Sequence, residues 1–192
     1  MKRVILASRS PRRRSLLTAH GIDFDVCVSR VDERKIEEGI DDPKKLVLTL
    51  SLAKAKDVFL NNPDSIVIGA DTTVVFEGEI YGKPEDEEDA KRMLSNLSGN
   101  MHTVYTGVCI ITKGEIINYC ESSSVYFKKL TEKEIDDYIK TGEPMDKAGA
   151  YGIQDIGRRL VLKTEGDFEN IVGLPKSASE KIKELIKKEG ER

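Results

Sequence analysis

Apolar and polar positions along the chain fall into short, changing patterns that read as interleaved strands and helices. Val4-Ile5-Leu6-Ala7 is a brief, partly β-branched run that predicts a buried strand. Ser10-Pro11 then offers an N-cap and a first-turn proline, Leu16, Leu17 and Ala19 continue a helix, and Gly21 stops it. Residues 24–29 alternate and predict a second strand, and a polar link around Glu37-Glu38-Gly39 leads to Asp42-Pro43. That pair opens a helix to about Asn61, with Leu46, Leu50, Ala53 and Val58 on one side. Residues 65–70 predict a buried strand ending at polar Asp71-Thr72-Thr73, and residues 74–80 a hairpin.

The second half continues the alternation. A helix over residues 85–97 stops before Gly99, and the alternating runs 103–112 and 115–127, joined by Lys113-Gly114, predict an antiparallel hairpin. Thr131-Glu132-Lys133-Glu134 is a capping box for a helix to Lys140. A loop rich in Gly and Pro fills residues 141–154, followed by a strand at 159–163, a tight segment at 166–175 and a closing helix rich in Lys and Glu. Such interleaving, with hairpins in the middle, predicts an α/β fold: a mixed β-sheet flanked by helices. No linker and no internal repeat divides the chain, so the expectation is one domain over residues 1–192, built as two lobes around a central cleft.

Composition narrows the classes. The chain has 192 residues, 39% hydrophobic and 34% charged, enough for a sizeable core and unlike disordered or low-complexity sequences. No apolar run approaches the ~20 residues of a membrane helix. The start at Met1 carries too short an apolar run for a signal peptide, so a cytoplasmic location without membrane association is expected. With 31 basic and 34 acidic residues the net charge is −3, which argues against nucleic acid as a partner. The cysteines Cys27, Cys109 and Cys120 and the histidines His20 and His102 lack metal-ligand spacing; Cys109 and Cys120 read as core thiols.

Three segments carry candidate chemistry. Arg12-Arg13-Arg14 occupy a helix start, where cations are disfavoured by about 0.3–1 kcal/mol each unless an anion binds there. Ser8, Ser10 and at least one arginine therefore point to phosphate, although arginines spaced about 100° apart cannot all face one ligand. Gly69-Ala70-Asp71-Thr72 puts a carboxylate at a strand end, suited to a hard cation, to taking a proton from water, or simply to capping a turn. The loop at 142–154 has small residues for close backbone approach, charges at Asp146 and Lys147, and the amide of Gln154, which can both donate and accept as a nucleobase edge requires. Taken singly, Glu33, Lys54 and Lys83 read as solvated charges.

In combination these segments resemble the Maf family, the septum-formation-inhibitor-like nucleoside triphosphate pyrophosphatases. Leu6-Ala7-Ser8, Ser10-Pro11-Arg12-Arg13, Gly69-Ala70-Asp71-Thr72, Gly82-Lys83-Pro84, Leu97-Ser98-Gly99 with His102 and Val104, Glu143-Pro144 through Gln154, and Asn170 with Gly173-Leu174-Pro175 occur in the family's order. Residues 148–154 resemble the branch that prefers dTTP and UTP; Asp155, where the family more often has glycine, departs from it. The resemblance implies hydrolysis to a nucleoside monophosphate and pyrophosphate with a divalent cation, Mg²⁺ or Mn²⁺, by a homodimer. It also implies roles: Ser8, Arg12, Arg13, Lys54, Thr72 and Lys83 for the substrate, Gln154 for the pyrimidine, Asp71 as general base, and Glu33 with Asp71 for the metal. Two rival expectations are a regulatory protein restraining cell division and a pyrophosphatase that removes deaminated purine triphosphates.

Overall fold

The computed structural model describes residues 2–190. Met1 and the last two residues of the expected 1–192 domain lie outside the described residues. Strands and helices interleave as the pattern predicts, giving an α/β protein with a mixed sheet. Among the described residues the strands are β1 (Val4–Leu6), β2 (Asp25–Val26), β3 (Ile66–Phe76), β4 (Glu79–Tyr81), β5 (Met101–Ile111), β6 (Ile116–Phe127) and β7 (Val161–Glu165). The order is β2-β1-β3-β5-β6-β7, with β4 also paired to β3. β1 is parallel to β2 and β3, whereas β4 is antiparallel to β3 and β7 to β6. The helices are α1 (Pro11–Ala19), α2 (Glu33–Glu37), α3 (Pro43–Leu60), α4 (Glu87–Leu97), α5 (Glu132–Ile139), α6 (Phe168–Val172) and α7 (Lys176–Gly190).

The chain divides into two compact units. The first comprises Met1–Asp71, Thr106–Glu121 and Gly173–Arg192. Its core joins Ile5 and Ala7 to Val67, Cys109, Ile111 and the α3 residues Ala55 and Val58. Burial pushes the Cys109 thiol up to about 12, and Cys120, expected in the core, is only half-buried. Two bare strand positions let α3 come close: a Cβ on Gly69 would stand 2.3 Å from the Ser51 carbonyl oxygen, and one on Gly107 2.3 Å from that of Val47. Only glycine permits an approach of that kind.

The second unit comprises Thr72–Tyr105 and Ser122–Val172. In it the end of β3 and β4 form a hairpin whose two central residues, Glu77 (φ 49°) and Gly78 (φ 86°), both take the left-handed conformation that a two-residue turn needs. His102, Phe127 and Tyr151 meet edge to face, with ring centroids 4.8–5.3 Å apart. The Tyr151 hydroxyl and His102 Nε2 share a hydrogen bond of 2.7 Å.

Several boundaries differ from the sequence expectations. β2 covers two residues instead of 24–29, because the three-residue β1 offers pairing only at Ile5↔Asp25 and Leu6↔Val26. β3 does not end at Ala70: it carries Asp71, Thr72 and Thr73 through to Phe76, where β4 pairs with it. β7 spans 161–165 instead of 159–163, since Ile156–Leu160 form a 3₁₀ turn first. The polar link contains α2, and the segment at 166–175 contains α6.

Candidate active site

Side-chain direction in a strand has period two, so Gly69 and Asp71 lie on one face of β3. The bare Gly69 seats α3 at Ser51, and one helical turn later the same helix delivers Lys54. The buried stripe of α3 therefore includes Lys54, while the expected Ala53 is only half-buried. The Lys54 ammonium stands 2.7 Å from Asp71 Oδ1 and 2.7 Å from Glu33 Oε2. Asp71 is 14% exposed at its side chain and Glu33 49%, so one carboxylate is held in the interior and the other is open to water. Glu33 begins α2, whose first turn is capped by the Asp32 side chain accepting from the Lys35 N–H, and α2 packs against α3.

A second group joins from α1. Ser10 caps that helix, its Oγ accepting from the Arg13 N–H at 3.4 Å. Buried Ser8 accepts through Oγ from the Ser10 N–H at 3.2 Å and from Arg13 Nη1 at 3.1 Å. Arg13 also donates from Nε to the Gly173 carbonyl oxygen at 2.7 Å, which fixes the guanidinium plane. Arg12 is half-buried on the same first turn and Arg14 is exposed, as the 100° spacing requires.

The electrostatics of Asp71 follow from this packing. Burial raises its pKa above the ordinary carboxylate value; Lys54 and Arg13 oppose the rise, and Glu33 adds to it. Glu37, one turn after Glu33, is raised as well, by burial and then by Asp71 and Glu33, so a third carboxylate feels the same site. Among the described residues no group of three or more His, Cys, Asp and Glu side chains is gathered tightly enough to enclose a metal ion. The donor set nevertheless fits a hard divalent cation of the kind that takes one or two carboxylates and completes its shell with water and phosphate oxygens. Glu33 and Asp71 are oxygen donors already drawn to one positive charge.

A family model described as Maf-like protein matches residues 3–186. The chain belongs to the Maf family. It is 49% identical over 175 residues to a protein of Bacillus cereus (strain G9842) named dTTP/UTP pyrophosphatase, covering 91% of each chain. Proteins of the same name from Bacillus thuringiensis subsp. konkukian (strain 97-27) and Bacillus anthracis (strain CDC 684 / NRRL 3495) are 48% and 47% identical, again over 91% of each chain.

Of the site residues expected in this Maf-family chain, Ser8, Arg13, Glu33, Lys54 and Asp71 are linked within the first unit. Half-buried Thr72 opens the second unit, which also holds Lys83 and Gln154, both exposed. Sequence reasoning passed over Glu37, whose signal was its position four residues after Glu33 behind the Asp32 cap. It named Glu143 only as part of a motif, yet that carboxylate accepts from the Tyr138 hydroxyl and from the backbone N–H groups of Ile156 and Gly157.

Proposed function

We propose that this chain hydrolyses dTTP and UTP to the nucleoside monophosphate and pyrophosphate, a reading that extends to modified pyrimidine nucleotides of the same shape. The single observation that carries it is Lys54 bridging a buried and an open carboxylate beside the Ser8–Arg13 pair. The relatives' shared name supports it.

A triphosphate resists attack because its oxygens repel the nucleophile. In this reading Arg12, Arg13, Lys54 and Lys83 neutralise those oxygens, and Ser8 and Thr72 donate hydrogen bonds to them. Asp71 takes a proton from the attacking water; the water oxygen bonds to the α-phosphorus, the bond from that phosphorus to the bridging oxygen breaks, and pyrophosphate leaves. Its raised pKa makes Asp71 a better proton acceptor than an ordinary surface carboxylate. Glu33 and Asp71 would hold Mg²⁺ or Mn²⁺, which when bound supplies charge neutralisation at the phosphates and a more acidic water. Gln154 would read the pyrimidine edge. The reading further takes the whole chain as one Maf-type catalytic domain, acting as a homodimer in the cytoplasm without nucleic-acid partners. The family match across both units supports the domain assignment. Among the described residues no helix is long and apolar enough to cross a membrane.

The test is to incubate purified protein with Mg²⁺ and a panel of UTP, dTTP, CTP, ATP and inosine triphosphate, and to identify the released anion. Pyrophosphate from UTP and dTTP ahead of the others is expected. Release of orthophosphate, or a preference for inosine triphosphate, overturns the proposal.

A further inference from the structure

Gln154 lies in an exposed, irregular stretch, which is a poor place from which to discriminate between bases. A glutamine amide offers one donor and one acceptor, matching the adjacent N–H and carbonyl of uracil or thymine. Turned by half a rotation it offers the reverse pattern, which cytosine takes. Discrimination therefore requires that the residue be held.

The chain around Gln154 is pinned on both sides. On the N-terminal side the Gly152 N–H donates to the Tyr138 hydroxyl oxygen at 3.1 Å. On the C-terminal side the Glu143 carboxylate accepts from the Ile156 N–H at 3.0 Å and from the Gly157 N–H at 3.1 Å. The two pins are joined, because the Tyr138 hydroxyl donates to Glu143 Oε1 at 2.9 Å. Burial raises the Tyr138 pKa, which keeps that hydroxyl a neutral donor. Two of the three backbone anchors, Gly152 and Gly157, are glycines for a steric reason. A Cβ at Gly157 would lie 2.6 Å from the Tyr138 hydroxyl, and one at Gly152 would lie 3.0 Å from Glu143 Oε1 and 2.6 Å from Lys147 Cε. Lys147 locks the base of the arrangement, its ammonium donating to the Glu143 carbonyl oxygen at 2.9 Å.

We infer that Tyr138 and Glu143 are positioning residues for base selection: they clamp residues 152–157 so that Gln154 reaches the pyrimidine from one fixed backbone position, which restricts the orientations its amide can bring to the base edge. This rests on the proposed role of Gln154 in reading the base. Neither side chain touches the nucleotide in this scheme; both act through the backbone that carries Gln154.

The test compares kcat and KM for UTP and CTP in the wild type and in Gln154→Ala, Tyr138→Phe, Glu143→Gln and Tyr138→Phe/Gln154→Ala. Tyr138→Phe deletes one oxygen at a packed site, so it remains informative if Glu143→Gln fails to fold. Each single variant is expected to raise KM for UTP about tenfold with kcat within about twofold, narrowing the preference for UTP over CTP. The double variant should be no worse than Gln154→Ala, because a clamp has no effect once its cargo is gone. If Gln154→Ala narrows the preference while both clamp variants keep that of the wild type, the clamp is overturned and the base-reading role stands. If Gln154→Ala leaves the preference unchanged, the base-reading role fails and the clamp falls with it.

Discussion

Two buried polar clusters in this molecule are built on opposite principles. In the first unit Lys54 is charged, 9% exposed at its side chain, and shared between two carboxylates, one of which sits in water. In the second unit His102 and Tyr151 are buried, uncharged and joined to each other, with the Phe127 ring against both. A buried ion pair often contributes little or nothing to stability, because desolvating two charges offsets their attraction. A neutral aromatic pair adds packing and a hydrogen bond without that cost. Charge retained in a poorly stabilising place points to chemistry, and a neutral group buried at similar depth points to architecture. The contrast can be broken by substitution on either side.

The largest effect is expected at Asp71. Asp71→Asn keeps the shape and removes the proton acceptor, so turnover of UTP should fall by about 10³-fold or more, at the upper range of general-base contributions. Thermal unfolding should show a folded protein, with the Lys54 ammonium still satisfied by Glu33. Near-normal turnover would place the base elsewhere.

That a sequence reader can find Asp71 but misplace its strand shows where legibility ends. The starts of α1, α3 and α5 were readable because their signals are local: Ser10-Pro11, Asp42-Pro43 and the Thr131–Glu134 box, whose reciprocal hydrogen bonds all form. The polar triplet Asp71-Thr72-Thr73 looks like a strand end, yet pairing with β4 carries β3 past it. The hairpin at 74–80 is itself legible, but nothing nearby announces that its first arm continues the run at 65–70 without a break. The five-residue α2 has no buried residue and so leaves no apolar period, which hid Glu37 and made Glu33 look solvated. Glu143 takes its meaning from N–H groups 13 and 14 residues downstream, and its own neighbours are silent about them. Helix starts are written in adjacent residues; the partners of a buried charge are not.

On the neutral side, His102 gives the next effect. Burial lowers its pKa to about 4 from an ordinary value near 6.5. The unfolded chain therefore binds a proton that the folded chain refuses, so stability is full above about pH 6.5 and falls as pH drops toward 4, levelling below that. Between pH 7 and pH 5 this one residue should remove about 2 kcal/mol. Urea unfolding of the wild type and of His102→Gln at both pH values checks it. The variant starts weaker at pH 7, having lost the contacts to Tyr151 and Phe127, but should lose about 2 kcal/mol less on acidification. An equal loss in both proteins would mean that His102 accepts a proton while folded.

The smallest and most diagnostic effect concerns Lys54. Its charge holds the Asp71 pKa down against the rise that burial produces, so Lys54→Met removes a lowering influence and the Asp71 pKa must climb further. Asp71 takes a proton only when ionised, and kcat/KM reports the free enzyme; the acid limb of its pH profile should therefore move to higher pH. Loss of phosphate binding in the same variant lowers the whole curve without displacing that limb. The two consequences of one substitution thus separate along different axes, height for the lost cation and position for the altered base. Glu33→Gln supplies the opposite sign, because Glu33 is a like charge that raises the Asp71 pKa, and its acid limb should move to lower pH. Carboxylate titrations of the metal-free proteins, followed by NMR, check both signs, and an Asp71 pKa that shifts in the same direction for both variants would overturn this account of its electrostatics.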